Sequence, residues 1–107
     1  MPLIRIEFDN EVVSDHDARA LSIAVREIVA KETSIEDVFV YANSAQIKIQ
    51  IAPIEVFVEM SAHKIKDVNE LTDKIKESLT TWKRKESFSH SINLTLIPMT
   101  WRIEIGI

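Results

Sequence analysis

The chain has 107 residues, enough for one domain and short for two. Hydrophobic residues make up 46% and charged residues 28%, which is the balance of a globular protein. A net charge of −4 argues against nucleic-acid binding, which depends on cations matched to phosphates, and the absence of cysteine excludes disulfides, thiolate metal sites and cysteine nucleophiles.

The single glycine, Gly106, is next to the last residue. Phosphate-binding loops, dinucleotide fingerprints and serine-hydrolase elbows each need several glycines, so these chemistries are excluded. No apolar run approaches the ~20 residues of a membrane span, and Arg5 and Glu7 interrupt the apolar stretch at the N-terminus. We therefore expect a cytoplasmic protein with no membrane association, no cofactor and no metal.

The first half of the chain predicts a strand, a helix and two further extended segments. In Leu3–Phe8 the apolar Ile4, Ile6 and Phe8 point to one face and the intervening residues to the other, which is typical of a strand with one core face. Residues 14–32 repeat apolar side chains at helical spacing, and Ser14 begins the helix as its cap. Residues 38–41 are predicted to be extended, and residues 46–51 alternate again as a strand.

The second half restarts the same pattern. Residues 53–60 predict a strand, and residues 67–85 predict an amphipathic helix that ends in three basic side chains. Residues 91–97 predict another strand, and the alternation of residues 101–107 predicts a last strand. Trp101 opens that segment, whose apolar face could cover the sheet edge of a neighbouring subunit.

The two halves form an internal repeat of β-α-β units, with pseudo-repeats at 1–51 and 53–107. Right-handed β-α-β connections place both helices on one face of the sheet. The expected fold is therefore a single α+β domain over 1–107, with a mixed sheet of four to five strands and two helices on one face.

The face of the sheet opposite the helices should be polar and carry both signs of charge. It can be interpreted as a solvent-facing surface or as a surface that meets other copies of the chain in a closed assembly. By alternation it should carry Arg5, Glu7, Lys48, Gln50, Glu55, Glu59, Asn93, Thr95, Arg102 and Glu104.

Pro2 is the first candidate for chemistry. If Met1 is removed, Pro2 becomes a free secondary amine, and an α-amino group has a pKa of ~7.7–8, suitable for a general base near neutrality. The alternative is that Pro2 only begins a strand, a position where proline is tolerated.

Met1-Pro2, followed by an alternating strand, an amphipathic helix and a second β-α-β half, resembles the tautomerase superfamily, which includes 4-oxalocrotonate tautomerase and macrophage migration inhibitory factor. Ile92-Asn93 is similar to the Ile-Asn on the corresponding strand of that factor. The stretch 56–60, together with the helix from Asp67 to Trp82, resembles an uncharacterised branch of the superfamily. The resemblance implies that Pro2 moves a proton α to a carbonyl of a small enol or α-keto acid. It also implies that cations hold the substrate carboxylate and that the sites lie between subunits of a homotrimer.

Five other residues are candidates for substrate binding. Basic residues are few near the expected pocket, which leaves Lys31, Lys48 and Arg102 for the carboxylate. Tyr41 and Asn93 could donate hydrogen bonds to a substrate oxygen. His63 and Lys64 lie in the loop 61–66 and are interpreted as solvated loop residues.

Two other functions remain open. The chain could be a non-catalytic oligomer of the same fold that binds or scaffolds, which the shortage of arginines favours. It could also be a ferredoxin-like ligand-binding module, because the element order β-α-β-β-α-β is shared with that fold.

Overall fold

The computed structural model describes all 107 residues and shows an α+β fold built on one mixed sheet. The sheet has four strands in the order β2-β1-β3-β4; β1 pairs with β2 and β3 with β4 in parallel, and the central pair β1–β3 is antiparallel. The predicted fold class is confirmed. The elements are β1 (Leu3–Phe8), α1 (Asp15–Thr33), β2 (Phe39–Asn43), β3 (Ile54–Ser61), a 3₁₀ turn (Ala62–Lys64), α2 (Val68–Lys85) and β4 (Asn93–Met99).

Each helix begins with a side-chain cap. Ser14 Oγ accepts a hydrogen bond from the Asp17 backbone N–H at 3.1 Å, and Asp67 Oδ1 accepts one from the Glu70 N–H at 3.0 Å. These caps satisfy backbone donors that have no partner inside the helix. The structure therefore begins both helices where the sequence predicts them, to within one residue.

The two helices also end in the same way, with a serine in the left-handed region. Ser34 has φ 57° and Ser87 has φ 54°. The residue after each serine donates its N–H back into the helix, Ile35 to the Ala30 carbonyl at 3.2 Å and Phe88 to the Lys83 carbonyl at 2.9 Å. This is the bonding of a Schellman motif, which turns the chain sharply and directs the following apolar side chain against the helix.

The core lies between the helices and one face of the sheet. Alternate residues of β1 and β3 are buried while their neighbours face the other side, so the strands behave as the alternation predicts. Both helices contribute buried residues to the same cluster, which places them on one face. Its strand and helix members include Ile4, Ile6, Val56, Val58, Leu21, Val25, Val29, Ile75 and Leu79.

The predicted strands at 46–51 and 101–107 are absent from the structure, and this prediction was wrong for the isolated chain. Ile47 is 84% exposed and Ile49 is 94% exposed. The alternation shows that these segments can form strands, but a strand needs a partner for its backbone groups, and neither segment lies along a sheet edge of its own chain.

This absence also changes the predicted polar face. Lys48, Gln50, Arg102 and Glu104 lie outside the sheet because their segments are not strands. The other predicted members lie on β1, β3 and β4 and face away from the core: Arg5, Glu7, Glu55, Glu59, Asn93 and Thr95. Neither helix has the length and hydropathy that a membrane span requires.

Candidate functional site

Pro2 lies at the head of β1, one of the two central strands, and is less than 2% exposed. Its carbonyl accepts a hydrogen bond from the Phe39 N–H at 3.1 Å, which extends the parallel β1–β2 ladder past Leu3. The backbone around Pro2 is therefore held by the sheet. A reactive group here would have a defined position relative to the neighbouring strands.

The strands on both sides give Pro2 an apolar setting. Continuing the register of the sheet by one position places Pro2 beside Val38 on one side and Met60 on the other, and both are at most 4% exposed. With Met1 attached, the Pro2 nitrogen is an amide without a proton. Removal of Met1 would make it an amine, and a low-polarity setting favours the neutral form of an amine, which is the form that accepts protons.

A cavity of about 200 Å³ lies at the same end of the sheet, where the end of α1 meets the turn after β3. Lys64 and Lys66 line it and make no ion pair, whereas Lys74, also in its lining, pairs with Glu70 at 3.0 Å. That hydrogen bond raises the pKa of Lys74 above its ordinary value. Lys64 and Lys66 are therefore unpaired cations at this end of the sheet, in a lining that also contains the carboxylates of Glu32 and Asp67.

Sequence reasoning did not assign a binding role to these two lysines. The signal that could have identified them is the strand direction: β3 runs antiparallel to β1, so the residues that follow β3 return to the level of Pro2. Lys64 and Lys66 follow β3 directly. That inference needed the pairing of β1 with β3, which alternation alone does not specify.

Two predicted substrate-binding residues lie at the opposite end of the sheet. Lys48 Nζ lies 3.0 Å from Asp9 Oδ1 and also donates to Asn10 Oδ1, so it fastens the β2–β3 connection onto the end of β1. Asn93 donates to Glu55 Oε1 at 2.8 Å. Glu55 lies beside Glu7, about five residues or ~16 Å along the sheet from the level of Pro2.

The three remaining candidates lie on three different elements of the chain. Lys31 is exposed in the last turn of α1 and lines a cavity of about 470 Å³ between the two helices. Tyr41 is exposed on β2 beside Arg5. Arg102 is in the C-terminal segment, paired with Glu104 at 3.3 Å. A single chain does not bring the predicted set together.

Arg5 is the centre of the polar sheet face, although it was not among the predicted binding residues. Its guanidinium lies 3.4 Å from Glu59 Oε1 and 3.9 Å from Glu7 Oε1, and it stacks over the Phe57 ring at 4.5 Å. Its charge is thus matched by two carboxylates, which leaves it less suited to bind a free anion than Lys64 or Lys66. No three acidic, histidine or cysteine side chains converge on a position that could hold a metal ion.

No protein-family model matches the chain, and no curated protein matches it. Solved structures do share its fold. Malonate semialdehyde decarboxylase superposes with a TM-score of 0.70 at 10% identity, over 98% of this chain and 92% of that one. A 5-carboxymethyl-2-hydroxymuconate delta-isomerase gives 0.69 at 12% identity, over 99% and 89%.

A third structure is a domain of unknown function from Sebaldella termitidis, with a TM-score of 0.66 at 15% identity over 100% of this chain and 98% of that one. The chain therefore shares its fold with these proteins, which confirms the fold that the resemblance implied.

The Lys48 contacts generate a prediction about stability. The hydrogen bond from Lys48, and secondarily the Glu11 N–H, hold the pKa of Asp9 below its ordinary value of 3.8. A lowered folded-state pKa stabilises the fold above the ordinary carboxyl pKa, and this stabilisation is lost as the pH falls through the lowered value. Lys48→Met should therefore lower the free energy of unfolding at pH 6, and the deficit should shrink below pH 3.8, as measured by urea unfolding across this range.

The matched control is Lys76→Met, since Lys76 is an exposed lysine of α2 that makes no ion pair. It should leave the free energy of unfolding close to that of the wild type at each pH. A Lys48→Met deficit of constant size down to the lowest pH would contradict the assignment of the effect to Asp9.

Proposed function

We propose that this protein is a tautomerase-like isomerase in which Pro2, after removal of Met1, is the general base. It accepts a proton from the enol oxygen or the α-carbon of a small enol or keto acid and returns it to the other position. The observation that carries the proposal is the placement of Pro2: it heads a central strand, its backbone is fixed by the Phe39 N–H, and its setting is apolar.

The comparisons support the reaction class without assigning the substrate. One protein of the same fold is an isomerase of a hydroxymuconate, and another is a decarboxylase that was also studied with the proline at its first position replaced by alanine. Proton transfer α to a carbonyl needs an amine near its neutral form and a positive charge that stabilises the enolate. Pro2 supplies the first requirement in this proposal, and a cation other than the one that holds the carboxylate supplies the second.

We assign the role of holding the substrate carboxylate first to Lys64, because it follows β3 at the end of the sheet that Pro2 occupies and makes no ion pair. Lys31, Lys48, Arg102, Tyr41 and Asn93 remain proposed binding residues only across a subunit boundary. Within one chain Lys48 and Asn93 lie at the opposite end of the sheet from Pro2 and are already bonded to Asp9 and Glu55.

The hydrogen bonds of Lys48 to Asp9 and of Asn93 to Glu55 favour a second candidate function. If Lys48 and Asn93 serve to hold the fold, the chain could be a non-catalytic oligomer that binds or scaffolds. The two functions differ in whether Pro2 is required for turnover.

Replacement of Pro2 by alanine tests the catalytic proposal. The wild-type chain should show an intact mass lower by one methionine and should tautomerise enol acids. Pro2→Ala should lower the rate about 10²-fold or more, because general-base catalysis contributes roughly 10²–10⁴. The measurement is the initial rate of enol-to-keto conversion by ultraviolet absorbance.

The matched control is Pro53→Ala, at the head of β3, which is the position that corresponds to Pro2 in the second half of the chain. It should keep the wild-type rate. Equal rates for the wild type and Pro2→Ala would exclude Pro2 as the general base. Uniform retention of Met1 in the native protein, without turnover, would support the non-catalytic function instead.

Lys64→Gln tests the carboxylate contact. It should raise KM for acid substrates several-fold with a smaller change in kcat, since a carboxylate contact remote from the reacting carbon contributes equally to substrate and transition state. Lys76→Gln, a charge-matched change elsewhere, should leave both constants unchanged. An unchanged KM in Lys64→Gln would remove Lys64 from the site.

The exposed apolar segments support the proposed trimer. Ile49 and Ile105 are 94% and 78% exposed on segments that alternate like strands, while β2 and β4 present free sheet edges. Burial of a whole isoleucine side chain contributes about 1.5–3 kcal/mol, so a neighbouring subunit that covers these segments would gain appreciable stability. Free edges covered in this way are also protected from open-ended pairing.

Sedimentation tests this assembly. The wild type should sediment as a trimer at micromolar concentration. Ile49→Lys combined with Ile105→Lys should dissociate the trimer, because burial of two unpaired charges at the interface costs free energy of association. Val12→Lys, at an exposed apolar residue of the β1–α1 connection, should leave the trimer intact. A stable wild-type monomer would contradict the proposal.

A further inference from the structure

A cavity of about 320 Å³ lies on the helix side of the protein, between the first turns of α1 and the end of α2. It is separate from Pro2, which is at the head of β1, and from the polar face of the sheet. Its volume is within the range of small-molecule sites, roughly 300–1,000 Å³. Its lining combines aromatic rings with carboxylates.

The aromatic wall is built by the end of α2. The Schellman motif at Ser87 turns the chain so that Phe88 folds back on the helix, where its ring centroid lies 5.0 Å from that of Trp82 at an interplanar angle of 46°. The His90 ring then packs edge-on against Phe88 at 5.1 Å. Trp82 and Phe88 both line the cavity, and their positions are fixed by backbone hydrogen bonds.

The charged lining of the cavity is acidic. Asp17 and Glu86 line it, whereas no lysine or arginine does. His90 Nε2 lies 3.0 Å from Asp17 Oδ2, and Asp17 Oδ1 makes no hydrogen bond within the chain. Glu86 takes part in none of the ion pairs of the structure, although it directly follows the basic last turn of α2. His16, the remaining ionisable side chain of the lining, adds a third aromatic ring.

This lining selects against anions and favours one class of ligand. An aromatic face attracts a cation through its quadrupole, most strongly for tryptophan, and an alkylated ammonium combines a positive charge with apolar surface. The two carboxylates supply the opposite charge, and Ile23 adds apolar surface at the rim. An acidic substrate of the kind proposed for Pro2 would be repelled here.

We propose that this cavity is a binding site for a small organic cation of the alkylammonium class, held between Trp82, Phe88 and the carboxylates of Asp17 and Glu86. The inference does not depend on the proposed isomerase activity. The same chemistry is presented by a free quaternary ammonium compound and by a methylated lysine side chain, and the experiment separates these two sources.

The test is a titration followed by the fluorescence of Trp82, in a Trp101→Phe background so that Trp82 is the one remaining tryptophan. Choline chloride should quench or shift the emission in a saturable way, with a Kd on the order of millimolar at constant ionic strength. The neutral isostere 3,3-dimethylbutan-1-ol should bind about tenfold more weakly, since it lacks the charge. A peptide with trimethyllysine that binds tighter than choline would identify the peptide as the source, and weaker binding would identify the free cation.

Two variants assign the binding to this cavity. Glu86→Gln removes one carboxylate charge at an exposed position and should weaken choline about three- to tenfold, whereas Phe88→Leu should weaken it several-fold through loss of a ring. Glu77→Gln is the control, because Glu77 lies on α2 and lines the cavity between the helices, whose lining also includes Trp82. Equal affinity for choline and its neutral isostere, no saturation up to about 100 mM, or equal effects of Glu86→Gln and Glu77→Gln would each overturn the proposal.

Discussion

The antiparallel pairing of β1 with β3 is the contact on which the rest of the structure depends. It joins the two β-α-β halves at the centre of the sheet, with Ile4 opposite Val58 and Ile6 opposite Val56. All four side chains are fully buried against the helices. Because the side-chain period of a strand is two, a shift of one residue would move the buried set of one strand to the polar face and bring its charged residues into the core.

The same pairing decides which functional groups can cooperate. It brings the head of β1 and the end of β3 to one end of the sheet, so Pro2 shares that end with the turn that carries Lys64. It sends the start of β3 and β4 to the other end, where Glu55 and Asn93 are bonded to each other. A site that uses Pro2 and Asn93 together therefore requires a second subunit.

The two faces of the molecule have different electrostatic character. On the open sheet face, Arg5 pairs with both Glu7 and Glu59, so one positive charge is shared by two carboxylates and the centre of that face is net negative. On the helix side, the end of α2 places two aromatic rings beside the unpaired carboxylate of Glu86. The lysines Lys64 and Lys66 thus line a cavity at the Pro2 end of the sheet, whereas the carboxylates of Asp17 and Glu86 line the cavity beside Trp82.

Local sequence was sufficient to predict the two helices, the four strands of the sheet and their repetition, but it also predicted two strands that do not form. Alternation identified β1 and β3, and the capping side chains located the start of each helix, because these features depend only on side-chain period and on hydrogen bonds within one turn. The segments 46–51 and 101–107 alternate equally well, yet they are not strands, since a strand also needs a partner that the sequence does not name.

The location of the candidate sites was decided by the tertiary structure. Lys48 and Asn93 had suitable chemistry, but the strand order placed them far from Pro2 and bonded them to Asp9 and Glu55. Lys64 became a candidate only because the fold places it in a cavity at the Pro2 end of the sheet. The Trp82–Phe88 pair became one only because Ser87 adopts a left-handed turn geometry, which is uncommon for residues other than glycine. The sequence by itself determined which side chains were present and which face of each element was apolar. Only the pairing of the strands and the direction of the chain after each helix decided which of those side chains meet, because these contacts depend on packing across the whole chain.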